Sequence, residues 1–491
     1  MEKQEPKHDL RQSLLGDRFV AVDEEEQIIR NEGLTVNHAA VTHGEKQPNN
    51  FRDAWAAVLF LSQQIVIIYL ALAWGVPSLN YEYASFNSTD EVHFGGLFYL
   101  SLTAGMAALL VAALTLSVMI RWAEQLVQIS LFLTLVSNFV VIIYFATHEY
   151  WYGCVTSTFV LAWSLWYARS VWQRIPFAAA NLKTALTAVH TNGGLVLTAV
   201  GISLCINIWS LVWMLAGLGV YARSATCENG VCASHMNGGV IMMFVLSFYW
   251  TAQVGKNILH VTVSGVVGTW WFAPEDASSF CSPAINDSLL RATTYSLGSI
   301  CLGSLLTALL QFACQLTREA RRHTRCNAIL RCVLECLVDF LERLVAYFNQ
   351  WAYVYVGLYG YDYLTAGRRT MSLFMERGWT IIINDNLVLR VLGLMSVLMG
   401  FLTGCFGLII ASIKSSWLED FGNSAASVAF CIPFLIGAAV AYALMSVVAS
   451  AIDTVLVAFA EGPLDFERNH PGLYTQMITA WRQVYPEEFG M

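Results

Sequence analysis

The side chains best placed to do chemistry lie between Phe248 and Phe272, in the stretch FYWTAQVGKNILHVTVSGVVGTWWF. It is long enough to cross a bilayer as a helix, yet it carries Tyr249, Trp250, Gln253, Lys256, Asn257, His260 and Ser264. At about 100° per residue these seven fall within one arc of roughly 120°, with Ala252, Gly255, Ile258 and Leu259 outside it. Polar and ionisable groups are expensive in hydrocarbon, so such a stripe faces other helices or a watery cavity. For any one of these residues two readings are open: a polar seam between helices, or the wall of a pathway. Seven on one arc favour the pathway. His260 could carry a proton, since its pKa lies near physiological pH, or could be a neighbour-bonded packing residue.

The elements that must position this stripe are membrane helices. Of the 491 residues 56% are hydrophobic and 13% charged, which specifies an integral membrane protein. Apolar runs at 55–79, 95–119, 125–146, 151–168, 193–221, 239–263, 285–316, 344–361, 387–413 and 425–459 each approach the roughly 20 residues a span requires. The expected fold is therefore an all-α polytopic helical bundle of about ten transmembrane helices, with 344–361 the weakest. Residues 1–53 read as a disordered cytoplasmic tail without a cleaved signal peptide, 54–460 as the membrane domain and 461–491 as a cytoplasmic C-terminal tail. Gly400 with Gly404, and Ser299 with Gly303, have the small-residue spacing of packed membrane helices.

Lysines and arginines orient the bundle. With the amino terminus inside, Arg121, Arg169, Arg174, Lys183, Arg368, Arg369 and Arg377 are cytoplasmic, and the loops 80–94 and 147–150 hold neither residue. The loop 80–94 contains Asn87-Ser88-Thr89, a glycosylation sequon that requires the outer side. The arginine-rich segment 317–343 conflicts with ten regular spans, which place it outside. Either 285–316 is re-entrant, or 344–361 does not cross, or the charge rule fails there.

Cys227 and Cys232 lie in the loop ATCENGVCASHMNGG, expected outside, where a disulfide is allowed. Two free thiols are the alternative, and a zinc site with His235 lacks an evident fourth ligand. The chain has no nucleophile elbow, HExxH, clustered carboxylate pair, phosphate-binding glycine loop or basic patch interleaved with aromatics. It is read as no enzyme, with no cofactor, no metal and no nucleic-acid partner.

Four blocks carry a resemblance: RIPFAAANLKTA (174–185), SFYWTAQVGKNILHVTVSGVVGTWWF (247–272), ATTYSLGSICLGSLL (292–306) and LYGYDYLTAGRRTMSLF (358–374). In type, order and spacing the chain is similar to the choline transporter-like family, and to its fungal and protist members most closely. The resemblance covers roughly residues 50–465. It implies a plasma-membrane or organellar multi-span protein with cytoplasmic termini, a glycosylated first outer loop and sodium-independent transport of choline and related amines.

Choline is a permanent cation with no proton on nitrogen, so aromatic faces are its natural receptor. Trp209, Trp213, Tyr249, Trp250 and Tyr295 are aromatics in polar company and form the expected binding walls; packing or belt positions are the bland alternative. Asp453 is the clear carboxylate within the spans. With Tyr442, Ser446 and Ser450 it shares one helical face, a second polar stripe that could pack against the first. Gln253, Lys256, Asn257, His260 and Asp453 are the expected pathway and gating residues. Lys256 either pairs with Asp453 or snorkels to the interface. The function expected is transport of a choline-like amine by alternating access at a site near the bilayer middle, in contact with membrane lipid. The alternative is a membrane scaffold or regulatory protein that keeps the fold without the activity.

Overall fold

The computed structural model describes residues 49–78, 94–228, 231–234, 238–323, 328–376, 387–414, 417–418 and 424–484. They form α1 (Ala54–Leu70, continued by a π turn over Ala71–Gly75), α2 (Phe94–Arg121), α3 (Ala123–Thr147), α4 (Trp151–Val171), α5 (Ile175–Thr191) and α6 (Gly194–Ser224). A hairpin of β1 (Ala225–Glu228) and β2 (Val231–Ser234) follows. Then come α7 (Gly238–Phe272), α8 (Pro283–Thr293), α9 (Leu297–His323), α10 (Ala328–Tyr359), α11 (Tyr363–Glu376), α12 (Leu387–Ile413), α13 (Ala425–Glu461), α14 (Pro463–Asn469) and α15 (Pro471–Val484). Among the described residues eight helices are long and apolar enough to cross a membrane: α1, α2, α3, α6, α7, α9, α12 and α13. The other two expected spans are also helical but less apolar. They lie in α4, of 21 residues, and α10, of 32 residues.

The run 285–316 is not one element. Backbone N–H groups of Thr294 and Ser296 both bond to Arg291 O, at 3.4 and 2.9 Å, which ends α8 after 11 residues. At 1.5 Å per residue α8 is about 16 Å long, too short to span. Only α9 crosses from this run.

The arginine-rich segment is the tip of an α9–α10 helical hairpin. Arg52 N–H bonds to Tyr295 O at 3.0 Å, at the start of α9, and Arg52 Nε bonds to Gly360 O at 3.2 Å, just past the end of α10. Both helices therefore have one end beside Arg52, at the start of α1, and the described residues 317–323 and 328–343 belong to the opposite end. α10 extends about 48 Å, longer than a hydrocarbon core of about 30 Å. Arg318, Arg321 and Arg322 stand on the last two turns of α9, and Arg331 and Arg343 on the first half of α10.

Packing follows the small residues. A Cβ on Gly404 would meet the Phe430 ring at 2.7 Å, and one on Gly407 would meet Ala429 O at 2.3 Å, so α12 seats directly against α13. The C-terminal segment is docked rather than loose. Phe466, Met477 and Trp481 are buried, and Trp481 Nε1 donates to Asn181 Oδ1 at 3.0 Å, tying α15 to α5. The hairpin at 225–234 brackets Asn229-Gly230, the dipeptide that favours a two-residue turn. Its register sets Cys227 opposite Cys232. Asn87 and His235 lie outside the described residues.

Candidate functional site

The arc on α7 is where the bundle converges. This helix packs against α6, α8, α9, α10, α13 and α14. The hydrogen bonds of the arc go to α9, α10 and α13.

Toward α9, Gln253 Nε2 donates to Gln311 Oε1 at 3.0 Å, and Asn257 Nδ2 donates to Ser304 Oγ at 2.9 Å. Trp250, at the edge of the arc, donates from Nε1 to Cys301 O at 3.0 Å and sets its ring edge-on to Phe60. Toward α10, Tyr353 OH lies 3.4 Å from Asn257 Nδ2 and donates to Ile300 O at 3.1 Å. Asn349, one turn before Tyr353, donates to Gly303 O at 3.1 Å and Thr307 Oγ1 at 2.7 Å, and accepts from Tyr363 OH.

Toward α13, the two polar stripes meet. His260 Nε2 lies 3.0 Å from Gln350 O, and a carbonyl only accepts, so Nε2 carries the proton. His260 Nδ1 then accepts from Ser450 Oγ at 2.7 Å. One helical turn on, Thr454 Oγ1 donates to Ser264 Oγ at 3.1 Å. Ser450 thus faces α7, whereas Tyr442 on the same α13 face is 62% exposed and takes no part. The stripe is shorter than its sequence spacing suggests.

Asp453 lies beside this junction. Its Oδ1 accepts from Gln350 Nε2 at 2.7 Å. No ion pair joins it to Lys256, which is exposed. At 100° per residue Lys256 stands at the opposite edge of the arc from Trp250. The expected Lys256–Asp453 pair is not made in this structure. The half-buried amide of Gln350 takes the place of the lysine.

The five aromatics named as binding walls occupy separate places. Trp213 packs against Phe244 and Phe248 and donates to Phe244 O at 3.2 Å and Ser247 Oγ at 3.1 Å. Trp209 joins the same apolar cluster with Ile67, Ala71 and Ala216, and its buried Nε1 has no partner. Tyr249 lies at the margin of the main core next to Phe248, Trp250 lies inside that core, and Tyr295 meets Phe51 with ring centroids 5.1 Å apart and the planes tilted by 47°. They do not form one cage.

Among the participants that escaped sequence reasoning are Asn349, Gln350, Tyr353, Ser304, Gln311 and Thr454. For the first three the signal was present in the polar residues of NQWAYVY (349–355), where Asn349, Gln350 and Tyr353 share a face at i, i+1 and i+4. The same polarity made this run look like a weak span. It is the partner that α7 requires.

One further cluster of possible metal ligands occurs among the described residues. Cys314 Sγ lies 3.4 Å from Asp339 Oδ1 and 3.2 Å from Glu342 Oε2, between α9 and α10 toward the arginine-rich tip.

Comparison with known proteins places this architecture. Residues 155–463, which contain α4 to α13 and the whole of the junction, match the family described as plasma-membrane choline transporter. Protein PNS1 of Cryptococcus neoformans var. neoformans serotype D is 29% identical over 410 residues, covering 79% of this chain and 72% of that protein. Protein PNS1 of Neurospora crassa is 28% identical over 466 residues, covering 90% and 81%, and that of Saccharomyces cerevisiae is 28% identical over 401, covering 77% and 72%. The matched segment is more than half of the sequence, and its polar junction is built from the elements it spans: the chain belongs to the plasma-membrane choline transporter family.

Proposed function

We propose that this protein carries choline or a related quaternary or primary amine, such as ethanolamine, across the plasma membrane by alternating access, without sodium coupling. Family membership supports a transporter. The observation that carries the substrate class is Asp453, a carboxylate inside the bundle with an amide donor and no cationic partner within ion-pairing distance among the described residues. An uncompensated carboxylate in such a place is costly unless a cation visits it or a proton neutralises it. Tyr353 supplies the aromatic surface on the same junction, edge-on to His260 with ring centroids 6.2 Å apart. Gln253, Asn257 and His260 line the route. The binding role expected of Trp209, Trp213, Tyr249 and Tyr295 passes to Tyr353, and Trp250 keeps its position on the arc. A membrane potential favours inward movement of a monovalent cation by about 2.3 kcal/mol per 100 mV.

The second reading, a scaffold that retains the fold, has its own support. Gln253, Asn257, His260 and Ser264 each have a partner on a neighbouring helix. A transporter closed at its centre has the same feature, because groups that line the route must bond to one another when no substrate is bound. Uptake of radiolabelled choline into vesicles containing only this protein decides between them. Saturable uptake, accelerated by an inside-negative potential, is expected of the transporter, and none of the scaffold. On the same topology Cys227 and Cys232 form a disulfide and Asn87 carries glycan. In a two-residue hairpin the second pair from the turn is the non-hydrogen-bonded one, where Cα atoms approach to about 4.5 Å, within disulfide range.

A further inference from the structure

Where α10 ends at the cytoplasmic side, three tyrosines gather. Tyr355 and Tyr359 are one turn apart on α10, and Tyr361 follows Gly360, whose φ of 63° turns the chain toward α11. Ring centroids lie 5.2 Å apart for Tyr355 and Tyr359, 5.7 Å for Tyr359 and Tyr361, and 6.4 Å for Tyr355 and Tyr361, the last pair nearly parallel at 24°. Two carboxylates stand beside them. Tyr355 OH donates to Glu461 Oε2, and Asp465 Oδ2 adjoins Gly462, the residue after Glu461. Tyr359 is only 7% exposed, yet its hydroxyl has no hydrogen-bond partner. A buried hydroxyl is seldom left unpaired, because the desolvation is uncompensated.

The cluster already holds a cation. The Arg369 guanidinium lies 4.6 Å from the centroid of Tyr361, and Nη1 donates to Tyr361 OH at 2.9 Å. Arg369 is otherwise exposed, on the solvent side of α11, and has no carboxylate partner among the described residues. A guanidinium with no ion pair has settled on an aromatic face backed by acidic residues. The rings are too close together to admit an ammonium ion between them, so the available face is the one that Arg369 covers.

We propose that Tyr361, backed by Tyr355, Tyr359 and Glu461, is a cytoplasmic-side site for an organic ammonium ion, and that Arg369 is its tethered, displaceable occupant. The ligand class rests on the amine-transport reading above. The site lies at the inner end of α10, three turns from the Asn349–Tyr353 part of the junction, so a cation leaving the centre meets it on the way to the cytoplasm. Arg369 covers the face when no ammonium is bound and moves away when one arrives. This lowers the affinity of the site, which suits an exit that must let its ligand go.

The test is equilibrium binding of radiolabelled tetramethylammonium to the purified full-length protein, with 3,3-dimethylbutanol as the neutral competitor of the same shape. Arg369→Ala is expected to tighten binding by about 5- to 30-fold, the range of a desolvated cation–π contact freed of its competitor. Tyr361→Leu in the Arg369→Ala background is expected to abolish that gain, and Tyr361→Phe to keep it. Glu461→Gln is expected to weaken binding, and the neutral competitor to displace nothing. Unchanged or weaker binding in Arg369→Ala, with the wild-type elution profile retained, overturns the site. So does a gain that survives Tyr361→Leu. Choline uptake by the wild type, measured in parallel, keeps the two proposals apart: uptake with no Arg369 effect leaves the transport reading standing and removes this one.

Discussion

The two halves of α7 are built differently. In the N-terminal half, Phe248 packs on Trp213, in an aromatic-rich region with Trp209 and Phe244 beside the π turn of α1 and α6, and Tyr249 adjoins Phe248. In the C-terminal half, Asn257, His260 and Ser264 meet Tyr353, Gln350, Ser450 and Thr454. The N-terminal half has more aromatic surface, and the C-terminal half has the carboxylate beside it. Aromatic rings serve packing and cation binding equally well, so the ring count does not separate the two uses. What separates them is company. Trp213 spends its one donor on Phe244 O and Ser247 Oγ, whereas Tyr353 lies edge-on to His260, which bonds Gln350 O, and the Gln350 side chain donates to Asp453.

The contrast is tested most severely by exchanging the losses. Asp453→Asn is expected to lower choline uptake by more than about 10-fold at an unchanged amount of protein in the membrane, since a cation in a desolvated site loses its counter-charge. Trp213→Leu is expected to change apparent affinity by less than about 2-fold, because a residue used for packing contributes no cation–π term. Initial rates at several choline concentrations measure both. The reverse pattern returns the binding site to the N-terminal half.

A smaller effect concerns the seam itself. Asn257→Leu leaves Ser304 Oγ and Tyr353 OH without their shared amide donor, and its expected cost in thermal stability is about 1–2 kcal/mol. Trp209→Phe removes a buried N–H that has no partner, and is expected to be neutral or stabilising by up to about 1 kcal/mol. Denaturation of the detergent-solubilised protein monitored on both variants gives the sign directly. Destabilisation by Trp209→Phe comparable to that of Asn257→Leu erases the difference between the halves.

How much of this was legible in the sequence depends on the range of the contacts. The α7 arc was legible because 3.6-residue periodicity is local, and Ser450 was legible as part of a second stripe for the same reason. The partner of Asp453 was not, and Lys256 was read in its place, because helical phase places a residue on a sector without saying which neighbour covers it. Gln350 reached Asp453 first. The split of 285–316 into α8 and α9 depends on a turn at Thr294–Ser296 that no glycine or proline announces. The five aromatics named as walls do not gather in one place because they were joined by type: Trp209, Trp250 and Tyr295 belong to three different contacts.

The smallest expected effect lies at the C-terminal tip of α7, where the segment after α13 closes on it. His470 stacks on Trp270 with centroids 4.0 Å apart, and its Nε2 donates to Trp270 O at 3.0 Å. Asn469 Nδ2 donates to Trp271 O at 2.9 Å, and Trp271 stacks on Phe466. Burial against these rings lowers the His470 pKa below its ordinary 6.5, and the bond to the Trp270 carbonyl offsets part of that. A base with a depressed folded-state pKa binds fewer protons folded than unfolded, so folding is favoured where the imidazole is neutral. The contribution is fully present above about pH 6.5 and is lost as the pH falls toward and through the folded-state value. Thermal unfolding is therefore expected to shift down by a few degrees between pH 7.5 and pH 5.5. His470→Asn, which keeps an amide donor for Trp270 O but does not titrate in this range, is expected to flatten that part of the profile. If His470→Asn and wild type fall in parallel, the clamp is insensitive to His470 and the acid response comes from other groups.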